Sequence, residues 1–243
     1  MLFDDDQVTI DGFGDALRSA EINPDSRGTA NCAVALFCWS CGGIDVRVEQ
    51  KDRCDTAALV WKSSLRICAY LHDSGVPSQT LGCVCDLGAG TGLLGLWTAL
   101  AGLATRVVLA DRPSWLPYLE KNIVLNGFPT GGLVTSCGAV WGASAGRFDT
   151  VLASDLLYDA SQHSALLATL CDMRPTRLIL SFAVRDTTAE STFLDALGET
   201  FNCKLVAPST HILTPLHSDD QEHEVQVWEC GLRTDKRQSD ARY

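Results

Sequence analysis

The chain has 243 residues, enough for one α/β domain, and its 46% apolar and 20% charged residues are typical of a compactly folding protein. No run reaches the ~18 to 20 uninterrupted apolar residues of a membrane span, and the N-terminus MLFDDDQVTI lacks the basic-then-apolar layout of a secretory signal. The formal net charge of −11 repels nucleic-acid phosphates and mildly favours cationic partners.

We therefore expect a cytoplasmic protein, with a nuclear location also open, that binds neither membranes nor nucleic acid directly. We expect it to be a monomer. Its predicted organisation is a flexible or capping arm over residues 1–30, a single domain over 31–232 and a flexible tail over 233–243.

The first third of the chain predicts a small hairpin and one helix. In residues 33–50, two β-prone runs, AVALFCW and IDVRVEQ, flank Cys41-Gly42-Gly43, a sequence typical of a hairpin turn. In residues 61–71, apolar side chains recur at helical spacing, which predicts an amphipathic helix.

From Leu81 onward, short β-prone runs alternate with helical segments, which indicates βαβ units and a mostly parallel sheet. Helices are predicted to begin near Thr91, Pro113, Ser161 and Thr187. The seven predicted strands are 82–86, 106–110, 132–136, 148–154, 177–183, 204–208 and 224–230. No helix separates the last two, so the fold class is a Rossmann-like α/β sheet of seven strands with an antiparallel edge hairpin, helices on both faces, and an extra N-terminal hairpin.

The chain has 11 cysteines, an odd number, scattered and often inside apolar runs. We therefore expect reduced, mostly buried thiols rather than a disulfide framework. Cys38 and Cys41 have the spacing of half a zinc site, but no second pair follows, so we predict a strand-and-turn thiol pair and no metal site.

The segment VCDLGAGTGLLG joins a predicted strand ending at Asp86 to a helix. Gly88, Gly90 and Gly92 would let the backbone approach a ligand where a Cβ would clash, and the helix N-terminus supplies free amides. The Asp86 carboxylate would repel a pyrophosphate but suits an ammonium or sulfonium group, which S-adenosylmethionine carries.

A dinucleotide-binding site is the rival interpretation of this loop, because Gly90, Gly92 and Gly95 also satisfy G-x-G-x-x-G. In that fingerprint the first glycine makes the turn directly after the strand. Here Asp86 and Gly88 occupy the turn, which favours S-adenosylmethionine.

Further candidates follow the next strands. Asp111 ends a strand where either cofactor would place its ribose. It could also be the N-cap of the helix that begins near Pro113, and the two roles can coexist through different oxygens. Trp141 could stack on an adenine, or belong to the core. After the fourth strand, Asp155 could accept a hydrogen bond from a cationic amine, as could the hydroxyl of Tyr158, while capping of the next helix is the alternative for Asp155.

The chain resembles the seven-β-strand methyltransferases of methyltransferase family 16, which include non-histone protein lysine methyltransferases. The resemblance spans residues 46–230, and Asp155 and Tyr158 match the family's DxxY signature. The matching segments are LVWKSSLRICAYL, CDLGAGTGLLGLWTALAG, LADRPSWLPYLEKNIVLNG, VWGA and LASDLLYDASQHSALLATL.

This resemblance implies S-adenosylmethionine as cofactor, S-adenosylhomocysteine as product, and an exposed protein lysine as methyl acceptor. Asp155 and Tyr158 would shape the acceptor site, while Arg185 matches a recurring arginine. The residues that the resemblance assigns to the cofactor are Trp61, Gly88, Ala89, Gly90, Asp111, Trp141 and Ser154. Histidine or a small molecule stays open as the acceptor, as does an inactive interaction module.

Overall fold

The structure is a computed structural model that describes residues 34–51, 55–143, 146–206 and 223–233. The predicted arm over residues 1–30 lies outside these ranges, as does all of the predicted tail except residue 233.

A two-stranded hairpin is followed by strands and helices that alternate along the chain. The hairpin consists of β1 (Val34–Cys41) and β2 (Ile44–Lys51). The remaining strands are β3 (Cys83–Leu87), β4 (Arg106–Asp111), β5 (Val134–Gly138), β6 (Thr150–Ser154), β7 (Arg177–Ala183), β8 (Phe201–Val206) and β9 (Val225–Leu232). The helices are α1 (Lys62–Asp73), α2 (Leu93–Leu100), α3 (Leu116–Leu125), α4 (His163–Met173) and α5 (Thr187–Leu197).

The seven strands after the hairpin form one sheet in the order β5-β4-β3-β6-β7-β9-β8. Neighbouring strands from β5 to β7 are parallel, whereas β9 runs antiparallel to both β7 and β8. The predicted fold class is confirmed, including the antiparallel edge hairpin. The chain runs from β3 outward through β4 to β5 and then returns to place β6 on the other side of β3. Because the strand order reverses at this point, a crevice opens at the carboxyl ends of β3 and β6.

Alternate residues of the strands pack on opposite faces of the sheet, as the two-residue period of a strand requires. Leu152 and Ile179 belong to a core with α1, α2, α3 and the hairpin, whereas Val151 and Leu178 belong to a core with α4 and α5. Both faces are therefore covered by helices, which accounts for the nearly unbroken apolar sequence of the central strands.

Helix α3 covers one edge of the hairpin with side-chain amides. The Asn126 Oδ1 accepts from the Arg47 N–H at 3.0 Å, and its Nδ2 donates to the Arg47 carbonyl at 2.6 Å. The Asn122 Oδ1 accepts from the Glu49 N–H at 2.9 Å. These amides satisfy backbone groups of β2 that would otherwise need a strand partner. They fix the hairpin to the main domain.

Several strand boundaries differ from the predictions by two or three residues. The strand predicted at 132–136 is observed two residues later, because Gly131 and Gly132 form a turn before it. The strand predicted at 204–208 begins three residues earlier, at Phe201, and residues 207 and 208 lie outside the described ranges.

The expectation of reduced thiols is wrong for one pair, since Cys203 and Cys230 form a disulfide. They are register partners in β8 and β9, and their separation of 27 residues gives no hint of this in the sequence. The Cys38 and Cys41 side chains lie on opposite sides of β1, one exposed and the other buried, as a strand geometry dictates.

Candidate functional site

A cavity of about 750 Å³ lies at the carboxyl ends of the parallel strands. Its walls come from the loops after β3, β4, β5, β6 and β7, and from the segment just before α1. This is the position where open α/β sheets bind ligands. We call the part beside β3, β4 and β5 the cofactor end, and the part beside β6, β7 and β9 the acceptor end.

The loop after β3 forms the floor of the cofactor end. Gly88 and Ala89 donate their N–H groups to the Ala110 carbonyl at 2.8 and 3.1 Å, so the loop is fixed to β4. Gly90 has φ +56°, and a Cβ there would lie 3.1 Å from the Ala57 carbonyl oxygen. A left-handed conformation and a close backbone approach both require glycine at this position.

Asp86 lies behind this loop and does not line the cavity. Its side chain is fully buried, and Oδ2 accepts from the Gly95 N–H at 2.9 Å. Oδ1 is buried and has no hydrogen-bond partner among the described residues. Burial raises the pKa of Asp86 to about 7, an effect that the Gly95 N–H opposes and the Asp111 charge reinforces. A buried carboxylate with an unused oxygen favours a nearby positive charge.

Asp111, the last residue of β4, is oriented by two backbone donors. Oδ2 accepts from the Gly90 N–H at 2.8 Å, and Oδ1 accepts from the Arg112 N–H at 2.7 Å. Burial raises the pKa of Asp111 despite these donors and the nearby Arg112 guanidinium. Its side chain lines the cavity, so each oxygen can still receive a ligand hydroxyl.

Residues 55–64, which we call the strap, close the cofactor end from the opposite side. The Arg112 Nη2 donates to both oxygens of Asp55 at 2.9 Å. Burial alone would raise the pKa of Asp55, but the Ala57 N–H and the Arg112 guanidinium outweigh it and hold that pKa below its usual range. The Gln50 Oε1 on β2 accepts from the buried Val60 N–H at 2.8 Å. The strap is therefore held at its first residue, Asp55, and near its middle, at Val60.

Two tryptophans reinforce the same region. Trp61, at the start of α1, lines the cavity and donates its indole N–H to the Thr56 carbonyl at 2.8 Å, which stiffens the strap. Trp115 donates its indole N–H to the Gly90 carbonyl at 2.7 Å, which holds the glycine loop from outside.

A third tryptophan, Trp141, lines the cavity after β5. The adjacent Gly142 N–H donates to Thr169 on α4 at 2.8 Å.

The acceptor end is formed by the residues that follow β6. Ser154 and Asp155 line the cavity, and Leu156, although buried, also contributes to its wall, whereas Leu157 is buried away from it. Tyr158 also lines the cavity but is 52% exposed, so its ring stands at the rim. The two buried leucines anchor the segment between the polar residues, so Asp155 and Tyr158 both face the cavity.

Asp155 makes a bidentate ion pair with Arg185. The Arg185 Nη1 donates to Oδ1 at 2.8 Å and Nη2 donates to Oδ2 at 2.9 Å. The Ala183 N–H also donates to Oδ1, at 3.2 Å. Asp155 adopts a left-handed backbone with φ +55° and is only 7% exposed. A polar side chain held in this way is typical of functional sites.

The structure thus brings nine of the ten predicted site residues to one cavity and leaves Asp86 behind its wall. Sequence reasoning missed the strap residues Thr56 and Ala57 and the ion pair between Arg112 and Asp55. It also missed His223, which lines the acceptor end. Only Arg112 had a sequence signal, because it directly follows the predicted ribose residue.

The lining of the cofactor end fits a nucleoside that carries positive charge. A ribose can bond to Asp111, an indole or apolar wall can hold a base, and the glycine loop leaves room that a Cβ at Gly90 would fill. The unused Asp86 oxygen behind the wall and the nearby Asp111 carboxylate disfavour a pyrophosphate.

Comparisons with known proteins agree with this geometry. Residues 42–200 match the sequence model of the family described as lysine methyltransferase. The chain is 30% identical over 176 residues to mouse EEF1A lysine methyltransferase 3, covering 70% of this chain and 74% of that protein. It is 32% identical over 171 residues to zebrafish protein N-lysine methyltransferase METTL21A, covering 66% and 76%.

Solved structures show the same fold at lower identity. The S-adenosylmethionine-dependent methyltransferase SibL superposes with a TM-score of 0.52 at 20% identity, covering 71% of this chain and 55% of that one. Magnesium protoporphyrin IX methyltransferase from Synechocystis PCC 6803, crystallised with S-adenosylhomocysteine, superposes with a TM-score of 0.50 at 20% identity, covering 71% and 82%.

The fold and the cavity define an S-adenosylmethionine-dependent methyltransferase of the class I type. The family match spans more than half of the chain and includes the glycine loop, Asp111 and the DxxY residues. The chain belongs to the lysine methyltransferase family. This membership removes the dinucleotide reductase from the alternatives.

Among residues 34–51, 55–143, 146–206 and 223–233, no group of three or more His, Cys, Asp or Glu residues is placed to hold a metal ion. No helix in the same ranges has the length and apolar character needed to cross a membrane.

Proposed function

We propose that this protein methylates the ε-amino group of a lysine side chain in a non-histone protein. The observation that carries the proposal is the division of one cavity between the glycine loop with Asp111 and the DxxY residues with their ion pair. The names of the curated relatives support a lysine acceptor.

At the cofactor end, Asp111 binds the ribose hydroxyls of S-adenosylmethionine, while Trp141 and the residues after β5 flank the adenine. Gly88, Ala89 and Gly90 line the methionine side, and Trp61 closes the cavity from the strap. Asp86 acts from behind the loop, where its buried carboxyl stabilises the positive charge of the cofactor.

When bound, S-adenosylmethionine supplies a sulfonium methyl, and the new nitrogen–carbon bond forms as the carbon–sulfur bond breaks with its electron pair going to sulfur. The acceptor must first lose a proton to solvent, so that an ammonium becomes an amine. The protein aligns this amine and excludes water. Asp155 and Tyr158 orient the amine, and Ser154 lies between it and the cofactor.

A labelled-methyl assay tests this proposal. Wild-type protein and D155A are incubated with a cell lysate and S-adenosylmethionine carrying a labelled methyl group, and labelled bands are analysed by mass spectrometry. We expect wild-type protein to label one or a few proteins on lysine and D155A to label none. Labelling on histidine, or transfer to small molecules alone, would overturn the lysine assignment.

We further propose that the protein acts as a monomer in the cytoplasm, with the nucleus as a second location. The net charge of −11 supports a substrate whose target region is basic, and it disfavours direct binding to nucleic acid. Sedimentation of the purified chain tests the monomer, and loss of lysate labelling after salt is raised tests the electrostatic attraction.

A further inference from the structure

The acceptor end contains an ion pair between a buried carboxylate and a partly exposed guanidinium, and the guanidinium lies outside the DxxY motif. Arg185 follows β7, and its backbone N–H donates to the Glu190 Oε1 at 2.8 Å. The same oxygen accepts from the Asp186 N–H at 3.1 Å, and Asp186 caps α5. Arg185 is therefore fixed by the first turn of a helix, and its guanidinium reaches Asp155 from a rigid base.

A carboxylate has about four acceptor positions, two on each oxygen. The Asp155 Oδ1 uses both of its positions, for the Arg185 Nη1 and the Ala183 N–H. Within the described part of the chain, Oδ2 accepts from the Arg185 Nη2 alone. One acceptor position on Oδ2 therefore remains for a ligand N–H.

The ion pair also changes the charge that an amine meets. An isolated carboxylate stabilises a lysine ammonium and raises its pKa, which would oppose the deprotonation that attack on the methyl requires. A carboxylate and a guanidinium paired in bidentate geometry together carry nearly no net charge toward a bound amine. It can then orient an amine without holding it in the protonated form.

We propose that Arg185 is a positioning residue for methyl transfer: by pairing with Asp155, it fixes Oδ2 to receive one amine N–H and lets the acceptor lysine enter the site as the neutral amine. This role rests on the proposed function, because it needs a lysine at the acceptor end. The amine lone pair is then left to point at the methyl group.

Other charged or titratable groups face the same region and stay unchanged in the test. They are Tyr158 and Asp159 after β6, Glu190 on α5, His223 before β9, Lys62 at the start of α1, and Asp111 and Arg112 after β4. Because His223 lines the same cavity, H223Q is measured alongside, to separate any contribution of His223 from that of Arg185.

The experiment records the rate of labelling of one lysine-methylated lysate protein between about pH 6.5 and 9.5. R185Q removes the cation and leaves the carboxylate, so the rising limb of the profile should move to higher pH by about one unit. The rate should fall about tenfold near pH 7.5 and recover most of the loss near pH 9.5. Affinity for S-adenosylhomocysteine, measured by calorimetry, should change less than threefold.

Two further variants separate charge from architecture. R185K keeps the positive charge but loses the bidentate geometry of the guanidinium. The rising limb of its pH–rate profile should therefore stay at the wild-type pH, while the rate falls at every pH. The double variant D155N/R185Q restores neutrality and keeps an acceptor oxygen, so it should be faster than R185Q near pH 7.5.

The proposal is overturned if R185Q slows transfer equally at all pH values and the double variant gives no rescue, which is the behaviour of a purely structural residue. Thermal unfolding of each variant checks that it folds. If R185Q does not fold, the pH–rate profile of R185K tests the proposal alone. A rising limb that moves by one pH unit in R185K contradicts the proposal, because this variant keeps the positive charge. If wild-type protein labels no lysine, the proposed function fails instead.

Discussion

The two ends of the cavity are built in different ways. The cofactor end is built mostly from backbone: glycines at positive φ, carbonyl and amide contacts between loops, and a strap held at Asp55 and Val60. The acceptor end is built mostly from side chains: an ion pair between residues that follow β6 and β7, and an exposed tyrosine at the rim. A backbone cradle suits one invariant cofactor, whereas side chains can be exchanged to suit an acceptor.

The comparison predicts that the two ends fail separately, and D155A should show the largest effect. Loss of the carboxylate removes the group that orients the amine, and misplacement by about 1 Å can cost about a hundredfold in rate. We expect transfer to fall at least that far. Calorimetry with S-adenosylhomocysteine should show affinity within threefold of wild type, and equal loss of affinity and rate would refute a separate acceptor end.

Substitution at Gly90 should have the opposite signature. G90A places a Cβ at φ +56° and 3.1 Å from the Ala57 carbonyl oxygen. We expect about tenfold weaker binding of S-adenosylhomocysteine, because strap and loop must separate, together with a strain of about 1 kcal/mol. Calorimetry measures the affinity, and thermal unfolding measures the loss of stability caused by the strain.

Gly127 provides the matched control for this substitution. It has φ +79° with no atom within 4 Å of its added Cβ, and it lies after α3, away from the cavity. G127A should carry a similar strain with no loss of affinity. Equal affinity losses in G90A and G127A would show that strain, not the cradle, controls binding.

Asp86 allows the cofactor end to be tested through pH in the absence of any ligand. Its pKa is about 7 in the folded protein, well above the ordinary carboxyl value of 3.8. Between these values the native state holds a proton that the unfolded state has lost, so stability falls as pH rises.

D86N lacks this titration, so its free energy of unfolding should fall less between about pH 5 and 8, by roughly 1 kcal/mol or more. Urea unfolding at several pH values provides the measurement. Parallel curves for D86N and wild type would show that burial does not raise the pKa of Asp86 in the folded protein.

Breaking the ion pair between Asp55 on the strap and Arg112 should have the smallest effect on cofactor affinity. D55N keeps an oxygen for the Ala57 N–H but loses the ion pair with Arg112, whose side chain is 54% exposed. Partly exposed pairs contribute at most about 1 kcal/mol, so we expect about threefold weaker binding of S-adenosylhomocysteine.

E49Q is the control for the Asp55–Arg112 ion pair, because it breaks the ion pair between Glu49 and Lys121, neither of which lines the cavity. It should leave S-adenosylhomocysteine affinity unchanged. If D55N also leaves affinity unchanged, the strap is held by Gln50 and the Trp61 indole alone.

The contrast between the two ends also explains what could be predicted from sequence. The glycine loop was predictable because its backbone conformation restricts the residue type, and the order of elements followed from alternating periodicity. Asp155 and Tyr158 could be placed in the crevice because they directly follow a strand.

What sequence reasoning could not supply were pairings between distant elements. Arg185 lies 30 residues from the carboxylate that it holds, and Cys203 is linked to Cys230 across 27 residues. Asp86 was expected at the ligand, but a strand alternates its faces, so its side chain points into the core while the loop after it faces the cavity. Strand register fixes such contacts, and register is not written in any local pattern.

The most direct test of the division between the two ends is the chemical identity of the product. Protein labelled by the wild-type enzyme in a lysate is hydrolysed to amino acids, and the label is separated against methylated standards. We predict that the label elutes with N-methylated lysine and is absent when D155A replaces the wild type. Label in methylhistidine, or no label in protein although S-adenosylmethionine binds, would refute the assignment of the acceptor end to lysine.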